Sequence, residues 1–185
     1  MKNYEVISST INEKDGKVSY SAILGVPNAT VKDVSVIVND NGETLAYPPQ
    51  ERYEVTDANG EKVVKYSKVV VFKDAKAMNE AADALLKNPT DDIYLLPTPK
   101  DIKGGKRVGV ATLVGDVTLR VTVLVNEDKK SLVLPGRQYE AEGQKRKALF
   151  VKLFDSNDES AKADREALVE EIIANAKPYE KKEEA

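Results

Sequence analysis

One fifteen-residue segment occurs twice in this chain, and this repeat constrains the fold more than any other feature. VSVIVNDNGETLAYP spans residues 34–48, and VTVLVNEDKKSLVLP spans residues 121–135, so the two align without a gap. Six of the fifteen positions are identical, including three valines spaced two residues apart. This alternation is typical of a strand that buries one face. The repeat therefore predicts the same strand-turn-strand unit in both halves of the chain.

The similarity continues on either side of the repeated segment. Upstream, each copy has an extended stretch, a turn and a second apolar strand, with the turn at Asp15-Gly16 or Gly104-Gly105. Downstream, each copy has a polar loop, a short apolar strand and a helical pattern. Asp74 is placed to cap the first helix, and Ser156–Glu159 has the spacing of a capping box for the second.

These patterns predict an α+β fold made of two tandem β-β-β-β-α repeats. We expect the two repeats to pack as an intramolecular pseudo-dimer, because pairing covers sheet edges that a unit of this size leaves open. Such a chain is expected to be a monomer in solution. The predicted domains are repeat 1 (residues 1–90), repeat 2 (residues 91–178) and a frayed tail (residues 179–185).

Two missing residue types restrict the chemistry. The chain contains no histidine and no cysteine. Nucleophilic triads, disulfides and zinc sites of the usual kind are therefore excluded, and acid-base work falls to carboxylates, lysine or tyrosine. No carboxylate pair has a spacing that indicates catalysis. We predict a protein that is not an enzyme, with no catalytic residue, no metal and no cofactor.

The sequence also indicates a location. The first ten residues, MKNYEVISST, lack the apolar segment of a signal peptide. No apolar run is long enough to span a bilayer. We expect a cytoplasmic protein that does not associate with membranes.

The chain as a whole is not basic, because its formal net charge is −3. Binding to nucleic acid would therefore need a local positive patch. The candidate residues lie in the middle of repeat 2, with one member in repeat 1: Arg120, Arg137, Lys145, Arg146, Lys147, Lys152 and Arg52. The alternative interpretation, which we favour on the residues alone, is a solvated strand edge that carries lysines against aggregation.

Two further segments have more than one interpretation. Lys100–Arg107 places four basic residues around Gly104-Gly105, and a polar hairpin is favoured over an extension of the patch. Tyr47 and Tyr53 flank Pro48-Pro49, and packing beneath this loop is favoured over stacking on bases.

The order of these elements resembles the SpoVG family of bacterial septation regulators. The resemblance rests on YEVISSTINEKDGKVSYSAILGV, on the strand at Val31–Val38, on the Asn41-Gly42 turn and on YPPQER at Tyr47–Arg52. In the second copy the last motif corresponds to LPGRQ at Leu134–Gln138. The match runs roughly from Tyr4 to Leu86 and, more weakly, from Ile93 to Asn175, so the two predicted repeats would each be SpoVG-like.

The resemblance implies a non-enzymatic regulator that binds DNA or RNA and acts in septation, sporulation or cell division. Where the family has a serine followed by adjacent basic residues, this chain has Pro49 in one copy and Gly136 in the other. The alternative function is therefore a protein-interaction module that kept the scaffold and lost the basic surface. The first alternative predicts DNA or RNA as the partner, and the second predicts another protein.

Overall fold

A computed structural model describes residues 3–154 and 159–178 of the chain. Within these residues there are twelve strands and two helices. The strands of the first half are β1 (Glu5–Lys14), β2 (Lys17–Asn39), β3 (Thr44–Tyr47), β4 (Gln50–Thr56), β5 (Lys62–Lys68) and β6 (Val70–Phe72). The strands of the second half are β7 (Ile93–Ile102), β8 (Gly105–Asn126), β9 (Lys129–Val133), β10 (Gly136–Ala141), β11 (Gln144–Leu149) and β12 (Lys177–Pro178). The helices are α1 (Ala75–Lys87) and α2 (Glu159–Ala174).

The predicted α+β fold of two tandem SpoVG-like β-β-β-β-α repeats packed as a pseudo-dimer is wrong. The described chain is mostly β, and eight of its strands join in one hydrogen-bonded sheet. The order along the sheet is β12-β1-β2-β8-β6, with β3 paired to β2, and β7 and β9 paired to β8.

Continuous strands are one physical reason for this difference. The apolar strand predicted after the Asp15-Gly16 turn and the strand predicted at Val31–Val38 are both parts of β2, which runs for 23 residues. Strand β8 is also continuous and runs for 22 residues. Neither Pro27 nor Gly115 ends the strand in which it lies.

Two extra hairpins are the second reason. The polar loops predicted after the repeated segments are instead the hairpins β4-β5 and β10-β11, each a two-stranded sheet. In the first, the Asp57 carboxylate accepts hydrogen bonds from the backbone N–H groups of Asn59 and Glu61, both at 2.9 Å. In the second, Glu142 and Gly143 both have positive φ, as a two-residue hairpin turn requires.

Within β2, the alternation of buried and exposed side chains shifts by one residue at two points. Asn28 and Asp33 have φ of 50° and 58°, a conformation that asparagine and aspartate adopt more readily than most residues. The buried positions change parity after each of them, in the order Ala22, Leu24, Val26, then Ala29, Val31, then Val34, Val36. Both residues therefore act as β-bulges that return apolar side chains to the core.

The described chain divides into two compact units that are not contiguous in sequence. Unit 1 lies within Met1–Val26, Leu119–Pro135 and Leu153–Ala185, and unit 2 within Pro27–Thr118 and Gly136–Lys152. Strands β2 and β8 each contribute one part to each unit. The predicted domain boundaries, repeat 1 at residues 1–90 and repeat 2 at residues 91–178, stay a prediction.

Unit 1 contains β1, β9, β12, α2 and one part of each long strand. β1 forms a hairpin with β2 through the predicted Asp15-Gly16 turn, and both turn residues have positive φ. Helix α2 packs on β1 and β9 and buries Leu168 and Ile172, which lie four residues apart on one face of the helix. The predicted capping box includes residues 156–158, and the predicted tail is 179–185; both lie outside the described residues.

Unit 2 contains the remaining elements, and α1 covers its edge strand β3. The backbone N–H of Ala46 donates to Asn79 Oδ1 at 2.8 Å, and Thr44 Oγ1 donates to Asp83 Oδ1 at 2.8 Å. Side chains of α1 therefore satisfy polar groups that the edge of a sheet otherwise leaves open. Asp74 caps α1 as predicted, accepting a hydrogen bond from the Ala77 N–H at 3.0 Å.

Ser9 is expected to be a key polar contact in unit 1. It is 5% exposed, and its hydroxyl donates to the Ile172 carbonyl at 2.7 Å, in the last turn of α2, where carbonyls lack helical partners. Ser9→Ala should lower the free energy of unfolding by about 1–3 kcal/mol, because it leaves a buried acceptor unpaired. Chemical denaturation measures this value. Ser8→Ala, on the exposed neighbour, is the control and should stay within about 0.5 kcal/mol of wild type; equal effects would contradict the role of Ser9.

Asp83 should titrate below its usual range. A hydrogen bond from Lys87, and to a smaller extent one from Thr44, lowers the pKa of its carboxyl below the ordinary value of 3.8. The contact therefore contributes stability above the ordinary pKa and loses it as pH falls through the lowered pKa. Lys87→Met should move the pKa of Asp83 upward, and an NMR titration of the carboxyl carbon measures the shift. An unchanged pKa in this variant would show that Lys87 does not cause the lowering.

Candidate functional site

A groove of about 1020 Å³ opens on unit 2, and its lining combines cations with aromatic rings. The cations are Arg52, Arg107, Arg137 and Lys147. The rings are Tyr47, Tyr66, Tyr94 and Phe150. Two carboxylates, Asp33 and Glu51, also line it. The lining therefore carries more positive than negative charge, although the whole chain has a net charge of −3.

The second bulge of β2 supplies one wall. After Asp33 the strand buries Val34 and Val36, so Asp33, Ser35 and Ile37 face the groove. Asp33 Oδ2 accepts a hydrogen bond from Arg137 Nε at 3.2 Å. A carboxylate on the sheet therefore fixes an arginine that belongs to the β10-β11 hairpin.

The β4-β5 hairpin supplies a second wall. Arg52 and Tyr66 are directly opposite in the antiparallel register, so their side chains project from the same face. Both line the groove, and Arg52 also forms an ion pair with Glu54 at 3.6 Å. Tyr53, one residue on from Arg52, projects from the other face and does not line the groove.

The β10-β11 hairpin supplies the third wall and is fixed to β4. The Gly136 N–H donates to Glu51 Oε2 at 3.3 Å. A Cβ at Gly136 would collide with the carbonyl oxygen of Ala148 on the paired strand. Lys147 lies opposite Gln138 in this hairpin, and both line the groove.

Strands β7 and β8 contribute Tyr94 and Arg107. Tyr94 is opposite Val110 in the register, and both line the groove. Tyr94 and Tyr66 are each 62% exposed, and Tyr47 is 49% exposed. The Nε atom of Arg107 is buried and has no hydrogen-bond partner among the described residues.

Salt bridges leave two of the groove cations free. Arg137 is paired with Asp33, and Arg52 with Glu54. Within residues 3–154 and 159–178, neither Arg107 nor Lys147 lies within ion-pairing distance of a carboxylate. These two side chains therefore carry the uncompensated positive charge of the groove.

The structure brings together three of the seven basic residues predicted from the sequence. Arg52, Arg137 and Lys147 line the groove, whereas Lys145 and Arg146 lie exposed on β11 and do not. Lys152 is exposed just after β11 and is also outside the lining, and Arg120 is an exposed residue of unit 1. Whether any of the seven binds nucleic acid stays a prediction.

Sequence reasoning missed Arg107, Tyr66 and Tyr94 as site residues. The favoured hairpin interpretation of Lys100–Arg107 is confirmed, because Ile102 pairs with Gly105 across a turn. That interpretation does not reveal that Arg107 also lines the groove. Alternation along KVVKYSK, which predicts a strand once the Asn59-Gly60 turn is recognised, is the signal that could have identified Tyr66.

No cluster of three acidic residues within residues 3–154 and 159–178 is arranged to hold a metal ion. No helix in the same ranges is both long enough and apolar enough to cross a bilayer. No family model, curated protein or solved structure matches the chain, and the resemblance to the SpoVG family stays a prediction.

Gly136 is expected to hold the third wall in place. Gly136→Ala should lower the free energy of unfolding by about 1–3 kcal/mol, because the added methyl group must displace the paired strand. Chemical denaturation measures the change. Ala148→Gly, opposite the neighbouring Arg137 in this hairpin, is a comparison that adds no atom. A Gly136→Ala variant as stable as wild type would contradict the close packing of β10 on β11.

Proposed function

We propose that the groove of unit 2 binds single-stranded nucleic acid, and that the chain acts through this binding as a non-enzymatic regulatory protein of the cytoplasm. One observation carries the proposal: three exposed tyrosines and two uncompensated cations line the same groove. Exposed rings beside basic side chains are the combination that proteins use to hold single strands.

The tyrosines supply the larger part of the expected affinity. Each exposed ring offers a flat surface on which a base can stack, and such stacking contributes about 1–3 kcal/mol per base. Tyr47, Tyr66 and Tyr94 come from three different strands. Several bases can therefore stack within one groove, and a stack of this kind tolerates many sequences.

The cations supply a smaller contribution that depends on salt. Arg107 and Lys147 are available for phosphates, whereas Arg52 and Arg137 already have carboxylate partners. Two phosphate contacts on a single strand predict that log K falls with log salt with a slope of about −1.4. Binding should therefore weaken moderately, not steeply, as salt approaches physiological concentration.

The composition of the groove favours a single strand over a duplex. Bases are available for stacking only when they are unpaired. Asp33 and Glu51 also place negative charge in the lining, and this charge opposes the dense phosphate array of a duplex.

Removing a groove tyrosine should weaken binding. Tyr66→Ala and Tyr94→Ala should each reduce affinity for an oligonucleotide of about ten nucleotides by roughly 5- to 150-fold, because each loses one stacking surface. Fluorescence anisotropy with mixed-sequence single-stranded RNA, single-stranded DNA and duplex DNA, at low and physiological salt, measures the dissociation constants.

Tyr53→Ala is the matched control for these variants. Tyr53 is 44% exposed and belongs to the same hairpin as Tyr66, but it does not line the groove. Its removal should leave the affinity unchanged. Equal losses for all three variants, or tighter binding of the duplex, would contradict the proposal. Absence of binding to every nucleic acid at low salt would instead favour the protein-interaction alternative.

A further inference from the structure

Arg107 is held in an unusual environment within the groove. Its Nε is the buried side-chain nitrogen without a hydrogen-bond partner among the described residues. A buried donor left unpaired is costly, and such atoms are rare in folded proteins. The described chain therefore supplies no acceptor for Nε, and Arg107 enters the groove lining without an internal hydrogen bond at this atom.

The neighbours of Arg107 do not supply that acceptor. Its register partner on β7 is Lys100, a second cation. The two carboxylates that line the groove are engaged elsewhere, Asp33 with Arg137 and Glu51 with the Gly136 N–H. An incoming anion therefore meets a guanidinium that no described carboxylate neutralises.

We infer that Arg107 forms a phosphate subsite in the groove, with Lys147 as its second cation. A guanidinium presents its two Nη groups as parallel donors that match two oxygens of a phosphate, whereas an ammonium acts as a point charge. Arg107 binds the phosphate in a fixed orientation, and the flexible Lys147 adds attraction. The ligand is a phosphodiester of the bound strand or a free phosphate group.

This inference deepens the proposed function, since it concerns the same groove, but it has an independent readout. The full chain is compared with Arg107→Met, Arg107→Lys and Lys76→Met, which removes a charge from an exposed position on α1. Circular dichroism establishes that each variant is folded. Melting temperatures are then measured with sodium phosphate and with sodium chloride at matched ionic strength.

A phosphate subsite predicts that phosphate raises the melting temperature of the wild-type protein above its value in chloride, because the anion binds the native state. The rise should persist in Lys76→Met and disappear in Arg107→Met. Arg107→Lys should keep a smaller rise, since it retains the charge and loses the paired donors. Equal rises in Arg107→Met and wild type, or no rise in any folded protein, would overturn the inference.

Strand binding separates the subsite from the proposed function. With an oligo-uridine of about ten nucleotides, Arg107→Met should weaken binding by roughly ten- to a hundredfold and reduce the salt slope by about 0.7, the value for one phosphate. Strong wild-type binding with an unchanged Arg107→Met slope would overturn the phosphodiester assignment and leave the groove function standing. A phosphate-dependent rise without strand binding would leave a site for free phosphate and overturn the proposed function.

Discussion

The fold depends on two strands that remain continuous for more than twenty residues. β2 and β8 each supply one segment to each compact unit, so the core of either unit contains chain from both halves of the sequence. In a strand of this length the apolar side chains must stay on the core face. A shift of one residue in the alternation would turn every later side chain to the opposite face. In β2 the positive φ at Asn28 and Asp33 makes that correction. The same correction at Asp33 also places a carboxylate in the groove, which connects the packing of the core to the geometry of the site.

The sequence contains enough information for the local elements and not for their assembly. The Asp15-Gly16 turn and the Asp74 cap depend on residues that are close together in the sequence, and the structure places both as predicted. The merging of two predicted strands into β2 could not be foreseen, because a bulge at Asn28 and a turn at Asn28 have the same sequence signal. The sequence predicts polar loops where the structure has the hairpins β4-β5 and β10-β11, because these four strands carry many charged side chains. Charged side chains are usual on strands with an open edge.

The groove shows the same division between local and tertiary information. Basic residues of β11 could be identified from the sequence, but period-two alternation separates Lys147, which lines the groove, from Arg146, which does not. Arg107, Tyr66 and Tyr94 lie far from that cluster in the sequence and join it only through strand pairing. Because Asp33 and Glu54 neutralise Arg137 and Arg52, a count of basic residues overstates the charge available to a ligand. The free charge belongs instead to Arg107 and Lys147.

An NMR titration of the ¹⁵N-labelled full chain with a short unstructured oligonucleotide tests the central claim most directly. The account predicts that backbone amide shifts concentrate on the groove walls, at 33–37, 47, 50–52, 107–110 and 136–138, and that the Arg107 Nε–H signal moves with them. Amides near Lys76 should change little. Shifts confined to unit 1, shifts spread evenly over exposed lysines, or a spectrum unchanged at saturating oligonucleotide would each contradict binding in the groove.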